Sequence, residues 1–262
     1  MGNTLMFVNI FPKNLVGLMR LFHPRHRFQA AMMPTLSFEE YRQMSSPLPG
    51  ELQSLNDQEL NRVTSFALAK RQGEWLTGRL CAKTALLQYH NRFINDGSTL
   101  VPTEVQVVND SSGRPGLQLL NSNARLDVDL SISHGADFAM ALVCESRCGI
   151  DIQRPEETLL RVREKFCWPE EEEVLCTNFA DLPELMHLTL LWTAKEAAKK
   201  ALSSQRMPGF LELILTQAEA HTNGWQLSFL VSSRYSDSYP TTIDVGAELY
   251  DGYAIAFCIL PK

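Results

Sequence analysis

The sequence predicts an α+β fold made of two α/β halves of similar plan. Three observations predict it. Patterned segments follow the order helix, strands, helix, strands over 262 residues. LDVDLSIS (126 to 133) alternates strictly between apolar and polar residues, as a half-buried strand should. ELMHLTLLWTAKEAAKKAL, from about 184 to 202, keeps helical periodicity without a breaker. The division falls near residue 145, giving a half of 1–145 with an extra N-terminal segment and a half of 146–262. A hydrophobic content of 45% with 21% charged residues suits a globular chain with a sizeable core.

Taken in order, the N-terminus predicts a short strand and then an amphipathic turn, because Leu15, Leu18, Met19 and Phe22 fall at helical spacing before Pro24. Ala30 to Leu55, with Pro34, Pro47, Pro49 and Gly50, reads as connection. From Asn56, a cap followed by acids, Leu60, Val63, Phe66, Leu76, Leu80 and Leu87 recur at helical intervals to about Tyr89, with Gly73 expected to split two helices. EVQVV and GLQLL around NDSSGRPG read as a hairpin, and FAMALVC and CGIDI as two more strands around the turn Glu145, Ser146, Arg147. LLRVREKF and PEEEEVL are helical, the second opened by Pro169 and acids in its first turn. LELILT, WQLSFLV and YAIAFCIL read as closing strands.

A formal charge of −6 with no dense basic block argues against general nucleic-acid binding, so an anionic ligand would need a local cluster of bases. The six cysteines show no metal-like spacing, which points to reduced thiols in a cytoplasmic protein, although Cys144 and Cys148 could still face each other across a hairpin. Pro12, Lys13 and Asn14 interrupt any apolar run long enough for a signal or membrane segment. A monomer is expected.

Two places carry residues that burial alone does not explain. In CGIDIQRP, Asp151 and Gln153 share one strand face while Ile150 and Ile152 take the other. In the long helix, Leu185, Thr189, Trp192, Glu196 and Lys200 form one stripe that begins apolar and ends in a carboxylate and an ammonium. Alone, Glu196 and Lys200 would be an ordinary surface pair at i and i+4, worth about 0.2 to 0.5 kcal/mol.

Together, Asp151 in GID, Lys195, Glu196 and Lys200 in WTAKEAAKK, GRP at 113 to 115, Ser133 with His134, and EWLTGRLCAK resemble the 4′-phosphopantetheinyl transferases of the pseudodimeric, surfactin-synthetase-activating type. The family signature is G-[IV]-D followed, at a constrained separation, by [FW]-[ST]-x-K-E-[AS]-x-x-K; here 45 residues separate Asp151 from Glu196. The resemblance runs from about Arg62 to Lys200 and implies the family's fold, two similar α/β halves in a pseudo-twofold arrangement. It also implies transfer of the phosphopantetheine arm of coenzyme A to a serine of an apo carrier protein, with Mg²⁺ at the diphosphate and release of adenosine 3′,5′-bisphosphate.

By the same resemblance Asp151, Gln153 and Glu196 would hold Mg²⁺, which favours hard oxygen ligands. Many members of the class have glutamate where Gln153 stands, so an amide there is at best a weak ligand or holds a metal-bound water. Glu196 would be the general base, directly or through a metal-bound water, and Lys200 would neutralise or protonate the departing oxygen. Arg62 stands where the family places a phosphate-binding base, and Arg79, Lys83 and Arg114 are further candidates. His134, with Ser133, matches a diphosphate-contacting histidine, and Gly113, Arg114 and Pro115 match the segment lining the adenine. The first half would thus be the nucleotide side. The carrier, an acidic helical domain, would meet Arg161, Arg163, Lys165, Phe166 and Trp168. The alternatives are a non-catalytic coenzyme A or carrier-binding homologue, silenced by loss of the third carboxylate, and a scaffold whose Glu196 and Lys200 are surface charges.

Overall fold

The computed structural model describes residues 9–44, 55–94, 99–121, 126–203, 207–235 and 237–261. In chain order the elements are α1 (Lys13–Phe22), β1 (Phe28–Pro34), α2 (Phe38–Met44), α3 (Asp57–Thr64), α4 (Ala69–Phe93), β2 (Val105–Asn109), β3 (Pro115–Leu119), β4 (Asp129–His134), β5 (Phe138–Cys144) and β6 (Cys148–Gln153). Then come α5 (Thr158–Arg161), α6 (Pro169–Asn178), α7 (Glu184–Leu202), β7 (Leu213–His221), β8 (Gly224–Val231), β9 (Thr242–Tyr250) and β10 (Tyr253–Ile259). The fold is mixed α+β, as expected. It divides into two compact units, one holding the described residues of Met1–Phe11 and Arg27–Glu145, the other Pro12–His26 and Ser146–Lys262. Residues 12–26, placed with the first half on sequence, therefore belong to the second unit.

In the first unit an antiparallel sheet runs in the order β1-β5-β4. Its middle strand, FAMALVC, is apolar on both faces and nearly all buried. β2 and β3 form the expected hairpin, turned through Gly113 at φ 85°. The break between α3 and α4 lies at Ser65–Leu68 rather than at Gly73. Gly73 sits inside α4 because a Cβ there would come within 2.7 Å of the Leu36 carbonyl oxygen, and one turn on Thr77 Oγ1 accepts the Leu36 amide at 2.9 Å. Residues 28–34 are β1, although 30–34 were read on sequence as connection; its Pro34 ends an edge strand where its missing donor costs least. Residues 38–44 of the same stretch form α2, whereas 45–54, with Pro47, Pro49 and Gly50, and most of the expected N-terminal strand lie outside the described residues.

The second unit is a five-stranded antiparallel sheet, β6-β10-β9-β8-β7, with α7 against β6 and β10. FAMALVC and CGIDI are both strands but not partners: β5 pairs with β1 and β4, and β6 with β10. All six cysteines are free, so Cys144 and Cys148 form no disulfide. The amphipathic segment at the N-terminus is a full helix, α1, lying against β8 and β9 with Leu15, Leu18 and Met19 buried. Burying each such side chain contributes about 1.5–3 kcal/mol. β9 was missed on sequence because its Asp244, Gly246 and Glu248 share one face and look like a solvated edge. Gly246 instead makes room for Leu18 and the Phe257 ring.

Candidate functional site

The site in the second unit begins with a glycine. A Cβ on Gly149 would overlap the carbonyl oxygen of Ala197, so β6 and α7 approach backbone to backbone, and Ala197 and Ala201 keep the contact small. This approach brings the end of α7 onto the strand. Lys200 Nζ donates to Asp151 Oδ1 at 2.7 Å and to the Ile150 carbonyl at 3.0 Å. Asp151 is 7% exposed and lies on the α7 side of β6, while Ile150 and Ile152 are buried on the other face.

Glu196 stands one turn before Lys200. Burial raises its carboxyl above the usual carboxylate range, and the negative charge of Asp151 adds to the rise against the opposing pull of Lys199 and Lys200. Two mutually repelling carboxylates with a partly buried ammonium beside them are a donor set that fits a hard divalent cation. Gln153, two residues beyond Asp151 on the same face, is half-buried and donates Nε2 to the Arg154 carbonyl at 3.0 Å, which leaves its oxygen as the group that could face a cation. Among the described residues no group of three or more His, Cys, Asp or Glu side chains is placed to hold a metal.

Two residues here had no role assigned on sequence: Lys195, which was named in the motif, and Lys199. Lys195 is fully buried: its Nζ donates to the Phe166 carbonyl at 2.7 Å and to Glu171 at 2.8 Å, and burial lowers its pKa. Glu171 in turn accepts from the Leu215 and Trp168 amides, so this pair ties α7 to α6 and β7. The signal was available, since Lys195 stands in the quoted motif at a position no solvated stripe would require. Lys199, 3.6 Å from Glu196, occupies an unspecified position of that motif and gave none.

In the first unit Arg62 on α3 and Arg79 on α4 share a cavity of about 300 Å³ lined also by Gln58, Trp75, Gln106 and Asn109. Arg79 lies over the Trp75 ring at 4.0 Å, its Nε buried and without a hydrogen bond. Burial lowers its pKa to about 10, with Arg71 and Arg62 adding repulsion against the attraction of Glu59. Arg62 stacks on Phe66. Lys83, a further candidate for phosphate on sequence, is not available to a ligand: it is 1% exposed and paired with Glu59 at 2.5 Å. Arg114, 8% exposed, is committed to Asp129 through a bidentate pair. Gly113 and Pro115 flank it in the hairpin turn. Ser133 and His134 end β4, and a Cβ on Gly78 of α4 would come within 2.5 Å of His134 Nε2. That glycine admits the imidazole.

The basic and aromatic surface expected at 161–168 is only partly there. Phe166 is fully buried, Arg163 pairs with Glu184 at 2.9 Å and Glu172 at 3.7 Å, and Arg161 pairs with Glu157 at 3.7 Å. Lys165 and Trp168 are exposed.

Residues 147–258 match the model of the 4′-phosphopantetheinyl transferase superfamily. The similarity is to that segment. Its span begins just before the Gly149–Asp151 stretch and takes in Glu196 and Lys200. Enterobactin synthase component D of Salmonella typhi is 32% identical to the chain over 93 residues, which cover 34% of the chain and 39% of that relative. Two solved structures are also similar. A holo-(acyl-carrier-protein) synthase from Bacillus anthracis str. Ames, in complex with CoA (3′,5′-ADP), is 23% identical with a TM-score of 0.33, covering 45% of this chain and 92% of its own. The Helicobacter pylori holo-[acyl-carrier-protein] synthase in complex with coenzyme A is 22% identical with a TM-score of 0.33, covering 44% and 99%. Among the described residues no helix is long and apolar enough to cross a membrane.

Proposed function

We propose that the chain transfers the 4′-phosphopantetheine arm of coenzyme A to a serine of an apo carrier protein in a Mg²⁺-dependent reaction, releasing adenosine 3′,5′-bisphosphate. The observation that supports this most directly is the meeting of Asp151, Glu196 and Lys200 on one surface of the second unit. Asp151 and Glu196 would hold the cation, with the Gln153 oxygen as a weaker third donor. The bound cation would supply charge stabilisation at the diphosphate.

The chain's own groups do the rest in this reading. The serine hydroxyl must lose its proton as it attacks, and Glu196 takes it; a carboxyl raised by burial is a stronger base than an exposed one. Lys200, held on Asp151 and the Ile150 carbonyl, neutralises the oxygen that leaves with the adenosine bisphosphate. Arg62 and Arg79 are the bases proposed for the coenzyme's other phosphate, with His134, Ser133 and the Gly113–Pro115 turn on the nucleotide side. The carrier would use what remains exposed at Lys165 and Trp168.

The test is incubation with coenzyme A, Mg²⁺ and a panel of apo carrier proteins, reading the added phosphopantetheine by intact mass. Glu196→Gln should lower the rate by roughly 10²- to 10⁴-fold, the range for loss of a general base. Gln153→Glu should retain transfer at a lower Mg²⁺ requirement. A wild-type chain inert across the panel that still binds coenzyme A would favour the silent binder.

A further inference from the structure

Each of the two carboxylates has its own lysine. Lys200 is engaged with Asp151, whereas Lys199 Nζ lies 3.6 Å from Glu196 Oε1. A lysine near the end of a helix would ordinarily extend into water. The Lys199 side chain is instead only 16% exposed, and its ammonium sits 3.6 Å from the centroid of the Phe210 ring. Phe210 is itself held, stacked on Trp192 at 4.4 Å with 24° between the planes and set edge-on to Phe166 at 6.4 Å. The 3-10 turn that carries it, Phe210–Glu212, is closed by Glu212, which accepts from the Gly209 amide and the Tyr235 hydroxyl. Trp192, Phe210, Lys199 and Glu196 thus form a bracket that leaves α7, crosses to the turn before β7 and returns to α7.

We propose that Lys199 is a positioning residue for Glu196, fixed on the face of Phe210 so that it holds the Glu196 carboxylate while Lys200 stays with Asp151. The inference rests on the reading of Glu196 as the base. The role differs from that of Lys200: Lys199 touches no substrate and acts through the carboxylate it orients. An aromatic face suits this task because it holds an ammonium without supplying a competing anion.

Lys199→Met, Lys199→Arg and Phe210→Leu would be compared with the wild-type chain in two measurements, with circular dichroism confirming that each is folded. In the transfer assay Lys199→Met should lower kcat roughly ten- to a hundred-fold, the cost of a misplaced catalytic group, with KM for coenzyme A within about twofold. Lys199→Arg should recover most of the loss, and Phe210→Leu should lie between. The second measurement needs no activity: carbodiimide labelling of carboxylates, read by peptide mass, should rise several-fold at Glu196 in Lys199→Met and in Phe210→Leu but not at Asp151. An inert wild type with this labelling change would sink the transfer reading and leave the positioning intact. Unchanged labelling at Glu196 in both folded variants, or a kcat loss that arginine does not rescue, would overturn it.

Discussion

Both units contain a buried glutamate–lysine pair built to one plan. In each the two residues are 24 apart, Glu59 with Lys83 and Glu171 with Lys195. Each glutamate is the third residue of its helix and accepts the amide that precedes that helix, from Asn56 at 3.1 Å and Trp168 at 2.8 Å. Each also accepts a strand amide, from Val107 at 3.5 Å and Leu215 at 2.7 Å. The two units differ in the helical turn after the lysine. Thr84 and Gln88 occupy in α4 the places that Glu196 and Lys200 occupy in α7. The pair is therefore architecture common to both units, and the acidic and basic groups proposed for chemistry are an addition to one of them.

The largest expected effect breaks this comparison at its centre. Lys83→Met and Lys195→Met each leave a buried carboxylate unpaired, and each should cost about 3–5 kcal/mol in denaturant unfolding. Replacing both members, Glu171→Leu with Lys195→Met, should recover only part of that, because the Leu215 and Trp168 amides then lose their acceptor. Per folded molecule, transfer should survive Lys83→Met and fail in Lys195→Met, because only Lys195 is followed directly by Glu196. Equal losses of transfer in the two would mean that the first pair also governs the chemistry.

A smaller effect sharpens the comparison at the two glycines that admit close packing. Gly149→Ala sets a methyl against a backbone oxygen, which cannot yield unless α7 moves, so it should cost about 3 kcal/mol and part Lys200 from Asp151. Gly78→Ala meets the tip of the His134 ring, a side chain that can turn aside, and should cost about 1 kcal/mol. Thermal midpoints of the two variants decide it, and a costlier change at Gly78 would reverse the assignment.

These glycines also show where the sequence was legible. Asp151, Glu196 and Lys200 were noticed because a charged residue inside an apolar pattern is visible without a structure, but only the resemblance of GID and WTAKEAAKK, at their separation, to a family signature made them a site; the bounds of α7 came from its period. Lys83 and Lys195 were harder to read, since a buried lysine looks like a surface one until its glutamate, 24 residues away, is placed beside it. Gly73 misled for a related reason: a glycine that ends a helix and one that admits a neighbouring backbone are the same letter. β1 and β9 were hidden because Pro34 and the Asp244, Gly246, Glu248 face carry loop-like composition. Only the packing of α1 explains the latter.

That face supplies the smallest effect and the one most specific to the second unit. Glu248 is 5% exposed, with Oε2 lacking a hydrogen bond, and burial pushes its carboxyl up to about 7 against the opposing pull of the Leu15 amide at the start of α1. His23, just past the end of α1, is lowered to about 4 by burial, then by His26, against Asp244. Both prefer to be neutral where they lie. For Glu248, with a folded value above the ordinary 4.5, the stability is full below about pH 4.5 and is lost as pH rises through 7. For His23 the sign is opposite: stability is full above about 6.5 and is lost as pH falls towards 4. The two opposing changes offset each other between about pH 4.5 and 6.5, so the docking of α1 should be firmest there and weaken by only something on the order of 1 kcal/mol by pH 8. Hydrogen exchange of the α1 amides against pH reads this directly, with rates corrected for intrinsic exchange. Glu248→Gln, which keeps the shape and removes the charge, should flatten the alkaline side and leave the acid side to His23. An alkaline limb that persists in that variant would place the sensitivity elsewhere in the second unit and remove Glu248 from the account of how α1 is held.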